Sequence, residues 1–248
     1  MAVTNAQSGT RIDEIADSIY RISTPVPPNP ALPAGFTFNQ FLIVDDEPLL
    51  FHTGPRRMFA LTSEAVATVM PVGKLRWVSF SHFEADECGA LEQWLAAAPH
   101  AAPLCSSIAA MVSVGDVSPR APRAFADGET IALGRKRVRW FDAPHVPHGW
   151  DSGFLAETTT RTLFCGDLLT QPGATHDPVT TGDVLGPSEA MRAAMDYYSN
   201  AQTAGAAIER LAAFGPALLA CMHGAAYRGD GAAVLRALAR RLAGAKGG

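Results

Sequence analysis

The sequence predicts an α/β protein, and three observations support this fold class. Short apolar or alternating stretches typical of β-strands are interleaved with alanine-rich stretches that have helical spacing. The 248 residues, 48% of them hydrophobic, suffice for one large α/β domain or two fused halves, and we predict a single domain over residues 1–248. Histidine and aspartate side chains directly follow several predicted strands, at the edge where α/β proteins place their ligands.

The N-terminal half is predicted to begin as an antiparallel sheet. Strands are expected over residues 12–22, 38–44, 49–51 and 75–80. The second and third of these form a hairpin that turns at residues 45–47, after a proline-rich loop over 25–33. Ser63 is a suitable N-cap for a helix through about residue 70. Asp86 can cap a helix over 87–97, whose positive N-terminal end favours ionised carboxylates in its first turn.

The C-terminal half is predicted to alternate strands with longer helices. Strands are expected over residues 130–133, 138–141, 162–165 and 217–221. Helices are expected over residues 188–199, 203–214 and 230–242. The strand over 138–141 leads into a proline-broken loop over 143–152, which contains two histidines.

An imidazole and three carboxylates lie within six consecutive positions just after the apolar strand over 75–80. These residues are His82, Glu84, Asp86 and Glu87. Burying several carboxylates side by side costs several kcal/mol unless a positive charge compensates them. The segment therefore predicts a metal site, with a helix-capping loop of solvated acids as the alternative.

Three residues farther along the chain can complete such a site. Asp167 and His223 each follow a predicted strand, and His148 lies 19 residues before Asp167 in the loop over 143–152. A Gly-Asp pair after a strand is also ordinary turn chemistry, so Asp167 gains its assignment only from this spacing. His145 is the rival of His148 in the same loop, because it follows Ala143-Pro144 more closely.

Composition and charge argue against several classes of protein. A net charge of −4 offers no electrostatic footprint for nucleic acid. No segment approaches the ~20 uninterrupted apolar residues of a membrane span, and the polar first ten residues lack a secretory signal, so a cytoplasmic location is expected. Cys88, Cys105, Cys165 and Cys221 form no C-x-x-C pair, which argues against a zinc ribbon and favours reduced, buried thiols.

The order and spacing of these residues resemble the metallo-β-lactamase fold over nearly the whole chain. His82-x-Glu84-x-Asp86 is similar to the H-x-E-x-D-H segment in the diiron, oxygen-binding domain of flavodiiron proteins. Further similar segments are His148 with Asp151-Ser152, His223-Gly224 with Tyr227-Arg228, and Tyr197-Tyr198-Ser199-Asn200, which resembles a tyrosine-rich helix near that family's site. The resemblance implies a four-layer αβ/βα sandwich, with two mixed sheets flanked by helices.

The resemblance also implies a role for each site residue. One metal would be held by His82, Glu84 and His148, the second by Asp86 and His223, with Asp167 bridging the two. Glu87 stands where the family usually has a histidine, so it is expected to bind the second metal, to hydrogen-bond a metal-bound water, or to face solvent. His52 stands where the superfamily often has an aspartate, and we expect a buried or hydrogen-bonded histidine there. Tyr197 and Tyr198 are expected near the site as catalytic groups.

The resemblance implies a dinuclear-metal protein, and functions from different classes stay open. The first is a diiron protein that binds or reduces O2 or NO. Its electrons would come from a separate electron-transfer protein, because neither a flavodoxin domain nor a dinucleotide fingerprint is expected in this chain. The second is a hydrolase of an ester, thioester, lactone or phosphoester that uses a metal-bridging hydroxide. A non-catalytic domain that keeps a metal for stability is the third.

Glu84 favours the first of these functions. A carboxylate in place of imidazole makes bound cations weaker Lewis acids and lowers their redox potential, which suits iron and handicaps hydrolysis. We therefore predict two metal ions, iron before zinc or manganese, and a small ligand such as O2 or NO. A homodimer is expected, with no nucleic-acid or membrane partner.

Overall fold

Two mixed β-sheets form the centre of the structure, a computed structural model that describes residues 2–244 apart from the side chains of 201 and 202. The first sheet contains, in spatial order, β1 (Ala2–Asn5), β2 (Thr10–Ala16), β3 (Ile19–Val26), β4 (Phe36–Ile43), β5 (Leu49–Phe51), β6 (Trp77–Ser79), β7 (Ala102–Ser106) and β8 (Arg123–Phe125). The predicted domain range of 1–248 includes residues 1 and 245–248, which lie outside the described residues.

The second sheet is built from the rest of the chain. Its strands are β9 (Thr130–Ala132), β10 (Arg137–Asp142), β11 (Gly153–Glu157), β12 (Thr162–Phe164), β13 (Val179–Thr180), β14 (Leu218–Ala220) and β15 (Ala226–Arg228). Their spatial order is β13-β15-β14-β12-β11-β10-β9. In this sheet β12 and β14 run parallel, as β5, β6 and β7 do in the first sheet. The residues that follow neighbouring parallel strands therefore meet at one edge of their sheet.

Helices cover the outer face of each sheet. They are α1 (Phe59–Ala67), α2 (Ala85–Cys88), α3 (Leu91–Ala97), α4 (Ser107–Ala109), α5 (Gly115–Val117), α6 (Leu185–Met195), α7 (Ala201–Ala213) and α8 (Gly231–Gly244). A π-helical turn, Ala110–Val114, joins α4 to α5, and 3-10 turns lie at Arg56–Met58 and Val72–Lys74. None of the helices among residues 2–244 combines the length and the apolar character that crossing a membrane requires.

Three clusters of buried apolar side chains hold these layers together. One fills the space between the sheets, with Phe41 and Phe51 from the first sheet against Phe164 from the second. A second joins the first sheet to α1 and α3, where Trp94 is fully buried. The third joins the second sheet to α7 and α8. The predicted four-layer sandwich of two mixed sheets flanked by helices is confirmed.

The single strand predicted over 12–22 is wrong. The chain instead forms two antiparallel strands, β2 and β3, that reverse direction at Asp17 and Ser18, where Ser18 has a φ of 55°. Alternation with a period of two continues on both sides of so short a turn, so the hydrophobic pattern does not reveal the reversal. The predicted hairpin of β4 and β5 is confirmed.

Two predicted helix caps are also wrong. Helix α1 begins at Phe59, directly after the 3-10 turn, so Ser63 lies inside it and donates a hydrogen bond from Oγ to Ala60 O at 3.1 Å. Asp86 lies inside α2, whose N-cap position is Glu84, and the expected continuous helix over 87–97 is interrupted before α3 begins. Because the Asp86 side chain does not cap its own helix, its carboxylate can contact a residue elsewhere in the chain.

The helix predicted over 188–199 ends earlier than expected. It spans Leu185–Met195 and stops at Asp196, which takes the left-handed conformation with a φ of 47°. Tyr197 and Tyr198 consequently lie in the loop after α6 and not on a helix. Two predicted helices, 203–214 and 230–242, correspond to α7 and α8 within a residue or two.

Candidate metal centre

Loops from both sheets meet at one edge of the sandwich. His82 follows β6, while Asp167 and His223 follow the parallel strands β12 and β14. His148 comes from the loop that joins β10 to β11. This loop is held close to the first sheet because Asp151 Oδ2 accepts a hydrogen bond from Phe83 N at 2.8 Å. The edge therefore gathers side chains from four separate segments.

Four of these side chains surround one point. Glu84 Oε2 lies 2.9 Å from His82 Nε2 and 2.9 Å from His148 Nε2. Asp167 Oδ2 lies 3.3 Å from His148 Nε2 and 3.7 Å from His82 Nε2. One ligand atom from each of the four lies within 4.8 Å of all the others, a separation that suits a single bound cation.

A second group forms on the other side of Asp167. His223 Nε2 lies 3.2 Å from Asp167 Oδ1 and 3.4 Å from Asp86 Oδ2. The two oxygens of Asp167 thus face different imidazoles, Oδ2 toward His82 and His148 and Oδ1 toward His223. A carboxylate in this position can contact two cations at once.

All three imidazoles are oriented in the same way. His148 Nδ1 donates to Tyr197 O at 2.8 Å, and His223 Nδ1 donates to Thr37 O at 2.7 Å. His82 Nδ1 lies 2.9 Å from Ser81 Oγ. Because a carbonyl oxygen can only accept, Nδ1 must carry the proton in His148 and His223, which directs the Nε2 lone pair of the neutral ring at the cluster. Metal-binding histidines are held in this manner.

The electrostatics of the metal-free cluster favour bound positive charge. Burial lowers the pKa of His82, but nearby carboxylates, Glu84 first among them, raise it to about 10. Burial also lowers the pKa of His223, and its contacts with Asp167 and Asp86 raise it to about 10. Burial raises the pKa of Asp167, yet the three histidines lower it to about 2. Protons on the imidazoles thus provide the charge that a cation would provide.

We expect the metal-free protein to lose stability as the pH rises from about 6.5 to 10. The folded-state pKa values of His82 and His223 lie above the unfolded value of 6.5, so their contribution is complete below 6.5 and is lost as pH rises through about 10. Thermal unfolding in a chelator at pH 6.5 and 9 measures this. The fall in Tm should be smaller after metal loading, and an equal fall in both samples would contradict the explanation.

The structure separates the two histidines of the loop over 143–152. His148 is part of the cluster, whereas His145 is exposed, with a φ of 66°. His148→Ala is expected to reduce occupancy to one metal per chain, while His145→Ala keeps two. Elemental analysis of both purified variants checks this, and the opposite result would exchange the roles of the two residues.

Glu87 does not face the cluster. Its side chain is fully buried, with Oε2 2.7 Å from His52 Nε2 and Oε1 3.8 Å from His82 Nδ1. Since the cluster lies on the Nε2 side of His82, the Glu87 carboxylate lies on the opposite side of that ring. His52 is buried as expected. His52 and Glu87, the two positions at which the sequence departs from the family pattern, are therefore in contact. The carboxylate and the imidazole have changed places relative to that pattern.

The two tyrosines occupy different environments. Tyr197 lines a small cavity of about 150 Å³ over the cluster, together with Phe36, Met191 and Met195. Tyr198 belongs to the buried cluster between the second sheet and its helices. Burial raises the pKa of both phenols, so both keep their proton at neutral pH. Of the two, Tyr197 is the one placed to contact a ligand in the cavity.

The sequence did not indicate the residues that hold His223 from the first sheet. Asn39 Nδ2 donates to Cys221 O and to Gly224 O, both at 2.9 Å, and its backbone N donates to Met222 O. Arg21 Nη2 also donates to Gly224 O at 2.8 Å. Arg21 and Asn39 are fully buried polar residues on β3 and β4, two strands that also contain buried apolar residues, and a polar residue between apolar ones was the available signal.

Comparisons with known proteins agree with this geometry. A family model described as "ODP family beta lactamase" matches residues 36–224. The rubredoxin-oxygen oxidoreductase of Megalodesulfovibrio gigas is 27% identical over 208 residues, which cover 79% of this chain and 50% of that protein. The present chain therefore spans about half the length of that relative.

Solved structures show the same fold. Rubredoxin oxygen:oxidoreductase from Desulfovibrio gigas matches with a TM-score of 0.79 at 21% identity, over 94% of this chain and 61% of that one. The flavodiiron protein from Giardia intestinalis matches with a TM-score of 0.77 at 18% identity, over 94% and 59% of the two chains. The predicted metallo-β-lactamase fold, in the form found in flavodiiron proteins, is confirmed.

Proposed function

The chain belongs to the ODP family of β-lactamase-like proteins, and we propose that it is a diiron domain that binds O2 or NO and takes part in its reduction. The observation that carries this proposal is the position of Asp167. One of its oxygens faces His82 and His148, and the other faces His223. Two cations repel each other strongly, and a shared carboxylate between them reduces that repulsion.

The donor set fits iron. Three imidazole Nε2 atoms are available, with three carboxylates, Glu84, Asp86 and Asp167, beside them. His82, Glu84 and His148 would hold one ion and Asp86 and His223 the other, with Asp167 shared. Hard anionic oxygen ligands favour iron or manganese, whereas thiolate-rich or imidazole-rich sites suit zinc. The four cysteines are all buried, and none belongs to the cluster.

The cavity over the cluster suits a diatomic ligand. Its volume of about 150 Å³ lies below the roughly 300–1,000 Å³ of pockets that enclose larger organic ligands. Phe36 stacks on His223, with ring centroids 4.2 Å apart, and covers that side of the cluster. Two ferrous ions would supply the binding position and electrons for O2 or NO. Tyr197 lines the same cavity, and its buried hydroxyl keeps its proton at neutral pH.

Electrons for repeated reduction would come from a separate electron-transfer protein. The name of the M. gigas relative couples rubredoxin to oxygen, which supports a protein donor of this kind. We expect the isolated, pre-reduced domain to react once with O2 or NO. Repeated turnover is expected only when an electron-donor protein is present.

Anaerobic purification followed by elemental analysis tests the proposal. We expect two irons per chain and an absorption band that changes on admission of air. Two zinc ions with no spectral change would contradict the proposal and support a metal-dependent hydrolase. As a control, the protein is produced in growth medium with equal concentrations of iron and zinc, so that the metal found does not merely reflect which metal was more abundant.

A further inference from the structure

His52 and Glu87 form a fully buried imidazole–carboxylate pair behind the metal centre. His52 Nε2 and Glu87 Oε2 are 2.7 Å apart, and both side chains have no exposed area. His52 follows β5 and Glu87 lies in α2, so the pair connects two segments that are distant in the chain. Thr53 N also donates to Glu87 O at 2.7 Å, which ties the same two segments through the backbone.

The carboxylate of Glu87 reaches the segment that carries His82. Glu87 Oε2 accepts a hydrogen bond from Ser81 N at 3.3 Å, and Oε1 lies 3.8 Å from His82 Nδ1. Ser81 Oγ lies 2.9 Å from His82 Nδ1. Gly166, directly before Asp167, packs on Ser81, and a Cβ there would lie 2.9 Å from Ser81 Oγ. Glu87 thus contacts Ser81, whose hydroxyl lies against Nδ1 of the His82 ring.

We propose that Glu87 and His52 act as a positioning pair for His82, and that Glu87 is not a metal ligand. This inference rests on the proposed metal centre. A buried carboxylate is costly without a partner, and His52 supplies that partner on the side away from the cluster. With Glu87 held there, Ser81 and His82 are fixed so that Nε2 faces Glu84 and Asp167. Among the described residues, the group that would hold the second metal then contains one imidazole, that of His223, beside Asp86 and Asp167.

Glu87→Gln tests the positioning role, because it keeps the shape of the side chain and removes its charge. The variant is made in an Asp86→Asn background, in which only the group around His82 keeps its full set of ligands. Co2+ is titrated against a competing chelator. Loss of a residue that supports a metal-binding histidine weakens metal binding by about 10–100-fold, and we expect an increase in Kd of that size. An unchanged Kd would overturn the proposal.

A matched control separates positioning from general loss of stability. Leu238 is fully buried in α8, a helix that packs mainly on α7 and carries no residue of the centre, so Leu238→Ala lowers stability while every ligand and supporting side chain is kept. We expect Leu238→Ala to lower Tm yet keep the Co2+ affinity and absorption spectrum of the parent. If it weakens Co2+ binding as much as Glu87→Gln does, the effect is structural and the positioning role is rejected.

An exchange of the two side chains tests the pair itself. His52→Glu alone places two carboxylates together, and Glu87→His alone places two imidazoles together. Each single variant should lower Tm by roughly 10 °C, the size expected for breaking a buried pair. His52→Glu/Glu87→His should recover much of both losses. A double variant no more stable than the sum of the single losses would show that the two residues act independently.

The inference and the proposed function fail in different ways. Co2+ affinity reports the His82 group whichever metal the protein carries in the cell, and the exchange cycle is measured on metal-free protein. If wild-type protein binds no Co2+, the proposed metal centre is wrong. If it binds Co2+ and Glu87→Gln binds equally well, only the positioning role is wrong.

Discussion

Asp167→Asn is expected to remove both metals from the centre. Its two carboxylate oxygens face the two imidazole groups, and no other described carboxylate lies between them. An amide is neutral, and its NH2 group cannot act as an oxygen ligand. The variant keeps one oxygen, now neutral, so it can contact one group at most, and it loses the negative charge that offsets the repulsion between two cations. Elemental analysis should give well under one metal per chain.

Asp86→Asn is the matched comparison for this experiment. Asp86 Oδ2 contacts His223 and belongs to the second group alone. The same chemical change at this position should leave one metal bound. If Asp167→Asn still holds two ions per chain, or if the two variants lose the same single ion, Asp167 does not bridge.

Asn39→Leu is expected to have the second largest effect. It removes both hydrogen bonds that the Asn39 amide donates to the loop that carries His223. The buried carbonyl oxygen of Cys221 then has no hydrogen-bond donor among the described residues. Each buried polar group left unpaired costs about 1–3 kcal/mol. We expect the free energy of unfolding to fall by about 2–5 kcal/mol, and the second metal to bind about 10–100-fold more weakly. Denaturant unfolding and metal titration measure the two effects.

Gln40→Leu provides the control for that variant. Gln40 is the next residue on β4, is fully buried, and points to the other face of the sheet. It should change stability but leave the affinity of the second metal as it was. Equal weakening of the second metal in both variants would mean that Asn39 acts only through the stability of the sheet.

The fold and the cluster could be predicted because both follow from local patterns. Parallel strands deliver their next residues to one edge of a sheet, so strand ends place Asp167 beside His223. His82 follows a strand of the other sheet, and its position beside them was predicted from the family resemblance. His148 was preferred to His145 because it lies three residues before Asp151-Ser152, as in the similar flavodiiron segment, and the structure puts His148 in the cluster. The turn at Ser18 was not predicted because apolar and polar residues alternate on both sides of it. The start of α1 was not predicted because an N-cap residue type does not reveal that a 3-10 turn precedes the helix.

The supporting contacts could not be predicted, because they join residues that are distant in the chain. The sequence shows that His52 and Glu87 are unusual at their positions, but not that they lie 2.7 Å apart. It likewise shows a polar Asn39 within β4 without indicating that its partners are carbonyl groups beyond β14. The first contact depends on how α2 packs against the end of β5, and the second depends on how the two sheets pack. The homodimer, the cytoplasmic location and the single domain stay predictions.

Anomalous X-ray diffraction at the iron edge, from crystals of protein loaded anaerobically with ferrous iron, tests the central claim most directly. We predict two peaks about 3.5–4 Å apart on either side of Asp167. One should lie among His82, Glu84 and His148, and the other beside Asp86 and His223. A single peak, or peaks that leave one Asp167 oxygen without a metal, would contradict the account.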